Sequence, residues 1–168
     1  LGADLVCYSG AKAIEGPTSG FICGRKDLTD AAKLHYKGIG RPMKIGKESM
    51  MGLLKAVEIY AGRDMEAHEA QLNATVDKLI EELTGLPHIQ VSKSWDEAGR
   101  NISRCRVDVE RGCPYTALEL VAALKKGDPA IYTRDHFANV GTIFFDPRPL
   151  LPGDVEAIGA KMKKLLEG

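Results

Sequence analysis

A lysine at the end of a short apolar run is the residue best placed for chemistry. It lies in Tyr8-Ser9-Gly10-Ala11-Lys12-Ala13-Ile14-Glu15-Gly16-Pro17. The run before it, Ala3-Asp4-Leu5-Val6-Cys7-Tyr8, stops at a Ser-Gly turn, and a second run, Gly20-Phe21-Ile22-Cys23-Gly24, follows a Gly/Pro turn. A buried strand end of this kind can strip the proton from an ammonium by desolvation and leave a nucleophilic amine. Schiff-base chemistry needs such an amine. The same spacing also suits a solvated turn lysine, the commoner fate of the residue type. Ser9, three residues earlier, is either a binding hydroxyl or a simple turn hydroxyl.

A basic loop is the second candidate. Lys37-Gly38-Ile39-Gly40-Arg41-Pro42-Met43-Lys44-Ile45-Gly46-Lys47 holds three glycines before its final lysine and a proline, which argues against a helix. Arg41 and Lys44 beside glycines suit an anionic group, with backbone amides expected to be free. Lys47 opens a helix, where its charge opposes the helix dipole unless an anion is near. A solvated basic loop is the alternative. Arg148, in Asp146-Pro147-Arg148, ends a strand-like run, and pairing with Asp146 or Asp154 is the plain reading of it. Arg104 and Arg106 alternate on one strand and read as exposed. His35, His68, His88 and His136 show no evident partner, and no metal-ligand spacing is present.

The elements that must position these residues follow from turn signals and periodicity. Asp27 reads as the N-cap of a helix over 28–36. From Glu48 a helical period runs through Met51, Leu54, Val57, Met65, Leu72, Val76, Leu79 and Leu83, with Gly62 as a break and Gly85 and Pro87 as stops. Strand patterns cover 88–92, 102–109, 130–133 and 142–145. Thr116 caps a helix to about Lys126, and a last helix spans 155–166. The order ββαββα implies a small sheet with helices on one face, an α+β lobe. The expected organisation is three segments: 1–46 with the lysine hairpin and basic loop, connecting helices over 47–86, and a lobe over 87–168. Two strands alone cannot cover their own faces, so the front segment reads as part of a larger sheet.

The 168 residues are 44% hydrophobic, enough for one domain or two small lobes. With 23 basic and 23 acidic residues, no net field draws nucleic acid or an anionic membrane. No apolar run is long enough to span a bilayer. The chain opens on a strand-like segment rather than a signal peptide, and on Leu rather than Met, which reads as a piece or a processed chain. Cys7 and Cys23 read as small core residues. The unpaired cysteine spacing implies reduced thiols and a cytoplasmic protein.

The segment from Gly2 through Lys12 to Gly20 resembles the cofactor-lysine segment of fold-type-I pyridoxal-phosphate enzymes, in the group that contains selenocysteine synthase and the sugar-acid ammonia-lyases. The loop Lys37–Glu48 and the run Phe145-Asp146-Pro147-Arg148-Pro149-Leu150-Leu151-Pro152-Gly153-Asp154 look closer to the ammonia-lyase branch. The resemblance covers the C-terminal part of the family's plan. It implies an α/β PLP-dependent transferase fold, with a remnant of the large-domain sheet followed by the α+β lobe. It makes Lys12 the covalent carrier of pyridoxal 5'-phosphate and the base for the α-proton. Ser9 and Gly10 would hold the cofactor phosphate, with free amides at that turn. Arg41, Lys44, Lys47 and Arg148 would bind substrate, Arg148 through its carboxylate.

The implied activity is a lyase removing ammonia from an amino sugar acid phosphate to give a 2-keto-3-deoxy acid, in a homodimer or higher homo-oligomer. Selenium transfer to seryl-tRNA is the alternative in the same group, and a non-catalytic interaction lobe is the alternative outside it. The resemblance supplies no aspartate for the pyridine nitrogen, since Asp4 is too near the strand start. That leaves a poorer electron sink, and a chain of this extent alone is expected to be inactive.

Overall fold

A computed structural model describes residues 2–168; Leu1, where the first expected segment begins, lies outside the described residues. The chain divides into two compact units, Leu1–Asp64 and Met65–Gly168. The residues expected to connect two lobes are therefore shared between the units.

The first unit begins with an antiparallel hairpin, β1 (Leu5–Ser9) and β2 (Gly20–Gly24). Tyr8 opposes Phe21 and the rings stack at 5.0 Å, a cross-strand pair that helps set the register. Every residue of β1 is exposed. Cys7 and Cys23 are thus exposed, not core as their apolar neighbours implied. A two-stranded hairpin leaves both its faces without a covering layer.

Helix α1 (Lys26–Leu34) follows, with Arg25 rather than Asp27 at its N-cap. Asp27 instead lies in the first turn, where its charge suits the dipole, and takes hydrogen bonds from the Arg25 guanidinium at 2.8 and 3.2 Å. The basic loop is not wholly irregular. It forms two single 3-10 turns, His35–Lys37 and Arg41–Met43, short enough to tolerate its glycines and Pro42. Helix α2 (Lys47–Ala61) closes the unit and carries Leu53, its one buried large side chain among the described residues.

The helical period breaks at Gly62, as its sequence implies, and resumes as α3 (Met65–Leu83) in the second unit. Gly85 adopts φ 88°, a left-handed conformation that ends the helical run. The sheet is antiparallel in the order β3 (Ile89–Trp95), β4 (Ser103–Val109), β5 (Thr142–Phe145). Residues 130–133 form no strand, contrary to their pattern. Only Arg134 bridges Phe144, with backbone bonds of 2.9 and 3.1 Å. The observed order is therefore ββαβα, with one bridge where a further strand was expected.

Helix α4 (Ala117–Lys125) has Thr116 as its N-cap in a complete capping box with Glu119. Helix α5 (Asp154–Glu167) ends the chain. Helices α3, α4 and α5 supply Val76, Leu79, Leu83, Leu120, Leu124, Ile158 and Met162 to one core with Cys105, Val107, Ile143 and Phe145 from the sheet. Burial pushes the Cys105 thiol up to about 12, so it is a packing group and not a nucleophile. The helices cover one sheet face. Ser92, Ser94, Arg104, Arg106, Phe144 and Asp146 alternate with these core residues and share the other.

Candidate functional site

Lys12 stands on the loop between β1 and β2, and several contacts tie that loop down. The Gly10 N–H donates to the Ser19 carbonyl at 2.9 Å, and the Gly16 N–H donates to the Gly10 carbonyl at 2.8 Å. The Glu15 N–H donates to the Lys12 carbonyl at 2.8 Å, which makes Lys12 the first residue of a tight turn. Glu15 sits at φ 59°, costly for a non-glycine residue. Arg63, at the end of the unit, holds the Glu15 carboxylate with two hydrogen bonds at 2.7 and 3.3 Å.

Lys12 itself is exposed, so the expected burial of its ammonium does not come from this unit. It makes no side-chain hydrogen bond or ion pair with any described residue, which leaves its amine available.

Ser9 ends β1, and its side chain is open to solvent. Gly10 is buried, and its amide is not free for a phosphate because Ser19 takes it. Its role is steric. A Cβ at this position would meet the Leu53 side chain at 2.6 Å and the Ser19 hydroxyl closer still. Glycine lets the strand exit pass against α2.

Arg41, Lys44 and Lys47 are exposed and have no carboxylate partner among the described residues. Two of the glycine amides expected to be free beside them are occupied: those of Gly38 and Gly40 both donate to the His35 carbonyl, at 3.0 and 2.9 Å. Lys47 does begin α2, but Glu48 follows it in the first turn and offsets part of the unfavourable charge.

In the second unit Arg148 pairs with Asp146, Nε to Oδ1 at 2.8 Å and Nη2 to Oδ2 at 2.6 Å, and the Arg148 backbone N–H adds a third bond. Asp154 does not join it and takes the Leu151 N–H at 2.8 Å. Arg104, expected to be exposed, is buried. Its guanidinium spans Asp146 at 3.1 Å and Asp96 at 3.2 Å. Burial pushes the Asp146 carboxyl up, but the bonds from Arg148 and Arg104 outweigh it and hold the group at about 2. Asp96 is held well below the usual carboxylate range, chiefly by Arg100, against its burial. His136 stacks on Phe144 and tilts against Phe137, a packing role. No group of three or more His, Cys, Asp or Glu residues is poised to hold a metal among the described residues.

Sequence reasoning missed the Glu15–Arg63 clasp and the Asp96–Arg104–Asp146 chain. Only the Asp146-Pro147-Arg148 spacing signalled the latter.

The model of the family described as SelA, L-seryl-tRNA selenium transferase, matches residues 1–90. The chain is 40% identical over 166 residues to a 5'-C-glycyluridine monooxygenase-decarboxylase of a Streptomyces species, covering 98% of this chain and 42% of that protein. It is 39% identical over 170 residues to the D-glucosaminate-6-phosphate ammonia lyase of Salmonella typhimurium, covering 99% and 44%. A solved structure of D-glucosaminate-6-phosphate ammonia-lyase superposes with a TM-score of 0.83 at 40% identity, over 99% of this chain and 44% of the other. The chain thus spans less than half the length of these relatives, within a mixed α/β fold that it shares with a lyase. A family match over more than half the residues, reinforced by relatives alike along nearly the whole chain, makes this chain a member of the L-seryl-tRNA selenium transferase family.

Proposed function

We propose that this chain contributes the cofactor-lysine segment and the C-terminal unit of a pyridoxal-phosphate-dependent ammonia-lyase. Its substrate is an amino sugar acid phosphate of the D-glucosaminate-6-phosphate type. The observation that carries the reading is Lys12: an exposed amine without a partner, on a turn fixed by four backbone and side-chain contacts, in a chain 39% identical to such a lyase.

The donor set fits the cofactor in part. Lys12 offers a free amine for covalent attachment, and Ser9 a hydroxyl for the phosphate. Gly10 admits the close turn between them. No carboxylate of the first unit is assigned to the ring nitrogen, since Asp4 is paired with Arg25 at 3.2 Å. Bound pyridoxal phosphate would supply an electron sink for the pair left behind when the α-proton departs.

Lys12 Nζ, released from that covalent attachment when the substrate amine takes its place, would act as the base at the α-carbon. The β-hydroxyl leaves as water, and one water is taken up when the amine is replaced by oxygen. The net change is amino sugar acid to 2-keto-3-deoxy acid plus ammonium, with no oxidant or reductant required. Arg41, Lys44 and Lys47 form a set of anion-binding side chains in the first unit, and Arg148 binds substrate in the second. The protein is proposed to be cytoplasmic and a homodimer or higher homo-oligomer. No helix among the described residues is long and apolar enough to cross a membrane.

Selenium transfer to seryl-tRNA remains the second reading, favoured by the description of the matching family. Proton removal by Lys12 and loss of a β-substituent are common to both, so Lys12 does not choose between them. Pyridoxal phosphate added to the intact protein is expected to produce a visible absorbance band that Lys12→Ala abolishes. A band that persists in the variant removes the role of Lys12, and no band in either protein favours a non-catalytic lobe. Ammonia and keto acid released from D-glucosaminate-6-phosphate then decide for the lyase; a loaded protein that releases neither returns the choice to selenium transfer.

A further inference from the structure

The outer face of the second unit's sheet gathers more positive than negative charge around a buried floor. Three guanidiniums converge on one oxygen, Asp146 Oδ2: Arg148 Nη2 at 2.6 Å, Arg104 Nε at 3.1 Å and Arg134 Nη1 at 3.8 Å. Asp96 lies next to them and takes the other end of Arg104 together with Arg100, whose Nε and Nη2 both reach it at 2.8 Å. Four arginines therefore share two carboxylates, which leaves two positive charges uncompensated. Asp96, Asp146 and Arg104 are nearly inaccessible, whereas Arg134 and Arg148 are 44% and 43% exposed. The neighbouring Arg106 on the same face is already neutralised by Asp108 at 2.8 Å and adds nothing to the surplus.

The geometry fixes where that surplus points. Arg134 is pinned to Phe144 by a pair of backbone bonds, which sets its side chain beside Asp146. Its contact with Asp146 is too long for a hydrogen bond, and its guanidinium makes none with any described residue. Arg148 spends Nε and Nη2 on Asp146 and keeps Nη1. Asp146 sets a single negative charge between these guanidiniums, and a second anion would relieve the repulsion that remains. A guanidinium with a free fork, such as that of Arg134, receives carboxylate or phosphate oxygens in pairs, and Arg148 Nη1 adds a further donor.

We infer that Arg134 and Arg148 together form an oxyanion site on this sheet face, with Asp146 positioning Arg148 from beneath. The ligand is the carboxylate or the phosphate of a small anionic substrate. The inference rests on the substrate-binding role proposed for Arg148 and adds Arg134 to it.

The test is equilibrium binding to the purified intact protein at constant ionic strength, with malonate as the carboxylate probe and inorganic phosphate as the other. Arginine Nε–H signals in heteronuclear NMR and the melting temperature are the readouts. Both report without turnover and without cofactor. Wild type is expected to bind at least one probe saturably, and the tighter probe identifies the end of the substrate that the site receives. Arg134→Gln and Arg148→Gln are each expected to weaken binding about tenfold, and Arg106→Gln less than twofold. If Arg134→Gln does not fold, Arg134→Lys keeps the charge, loses the fork and is expected to weaken binding at least threefold.

Absence of saturable binding overturns the site. So does an equal loss from Arg106→Gln, which would mean a diffuse field. Wild-type affinity in Arg134→Gln beside loss in Arg148→Gln overturns the inference while leaving Arg148 its proposed role. The visible band formed with Lys12 is read separately, so failure of the cofactor reading is distinguishable from failure here.

Discussion

At the scale of single residues, the difference between Lys12 and Arg104 is instructive. Lys12 is free and Arg104 fully engaged, yet both were basic residues beside apolar runs. Lys12's position follows from its immediate neighbours, Ser9 and Gly10 before it and Gly16 and Pro17 after it. Arg104's burial depends on Asp96 and Asp146, 8 and 42 residues away in the chain. They meet it only because a turn follows β3 and because β4 pairs with β5.

Asp146 carries a testable consequence. Its folded-state value of about 2 lies below its ordinary 3.8, so its contribution is complete above about pH 4 and is lost as the pH falls towards 2. The shift corresponds to about 2 kcal/mol at neutral pH. Asp146→Asn is expected to cost at least that much in urea denaturation at pH 7, because it also leaves Arg104 buried with one carboxylate fewer. It should also flatten the fall in stability between pH 4 and 2. At the basic loop, Arg41→Ala is expected to raise KM for a phosphorylated substrate by about tenfold, the worth of one charge-assisted hydrogen bond, with little change in kcat. Steady-state kinetics on the intact protein measure it.

At the scale of elements, short-range signals worked where one residue type sufficed. Thr116 caps α4 as its position in the sequence implied, and Glu119 completes a capping box with it. Thr116→Ala is expected to lower stability by about 1 kcal/mol, read as a shift of the urea midpoint with unchanged slope. Signals failed where an element needed a partner. Residues 130–133 have strand-forming side chains, but only Arg134 finds a backbone partner beside β5, so the segment stays irregular.

The Lys12 loop lies between these cases. Its turn residues are evident in the chain, but the Glu15–Arg63 clasp that supports a positive φ at Glu15 joins residues 48 apart. Arg63→Ala is expected to loosen the turn. Hydrogen exchange at the Glu15 and Gly16 amides should then speed up by about fivefold, the worth of a partly buried ion pair. Unchanged exchange would mean that the clasp does not hold the turn.

At the scale of the molecule, the two units differ in how much they bury. The largest fully buried side chains, among them Phe145, Leu79, Leu83, Leu120 and Met162, all belong to the second unit. In the first, Leu53 is the one buried large side chain among the described residues, and Ile39, Met43, Leu34 and Leu54 are well exposed. Residues 65–168 alone are therefore expected to melt cooperatively with dispersed NMR signals. Residues 1–64 alone are expected to lack a cooperative transition, since two strands and two helices with so little burial do not offset the entropy of ordering them.

Turn chemistry, apolar period and the Ser9–Lys12 spacing act over a few residues. These local signals placed Lys12 at the exit of β1, broke the helical run at Gly62 and marked the sheet-and-helix lobe with its Asp146-Pro147-Arg148 end. Which groups are inside and which remain open was decided by packing alone: Arg104 buried, Cys7 and Cys23 exposed, the Gly10 amide taken, Arg134 brought beside Arg148. Burial and hydrogen-bond partners are properties of segments that meet in space, and no local spacing carries that information.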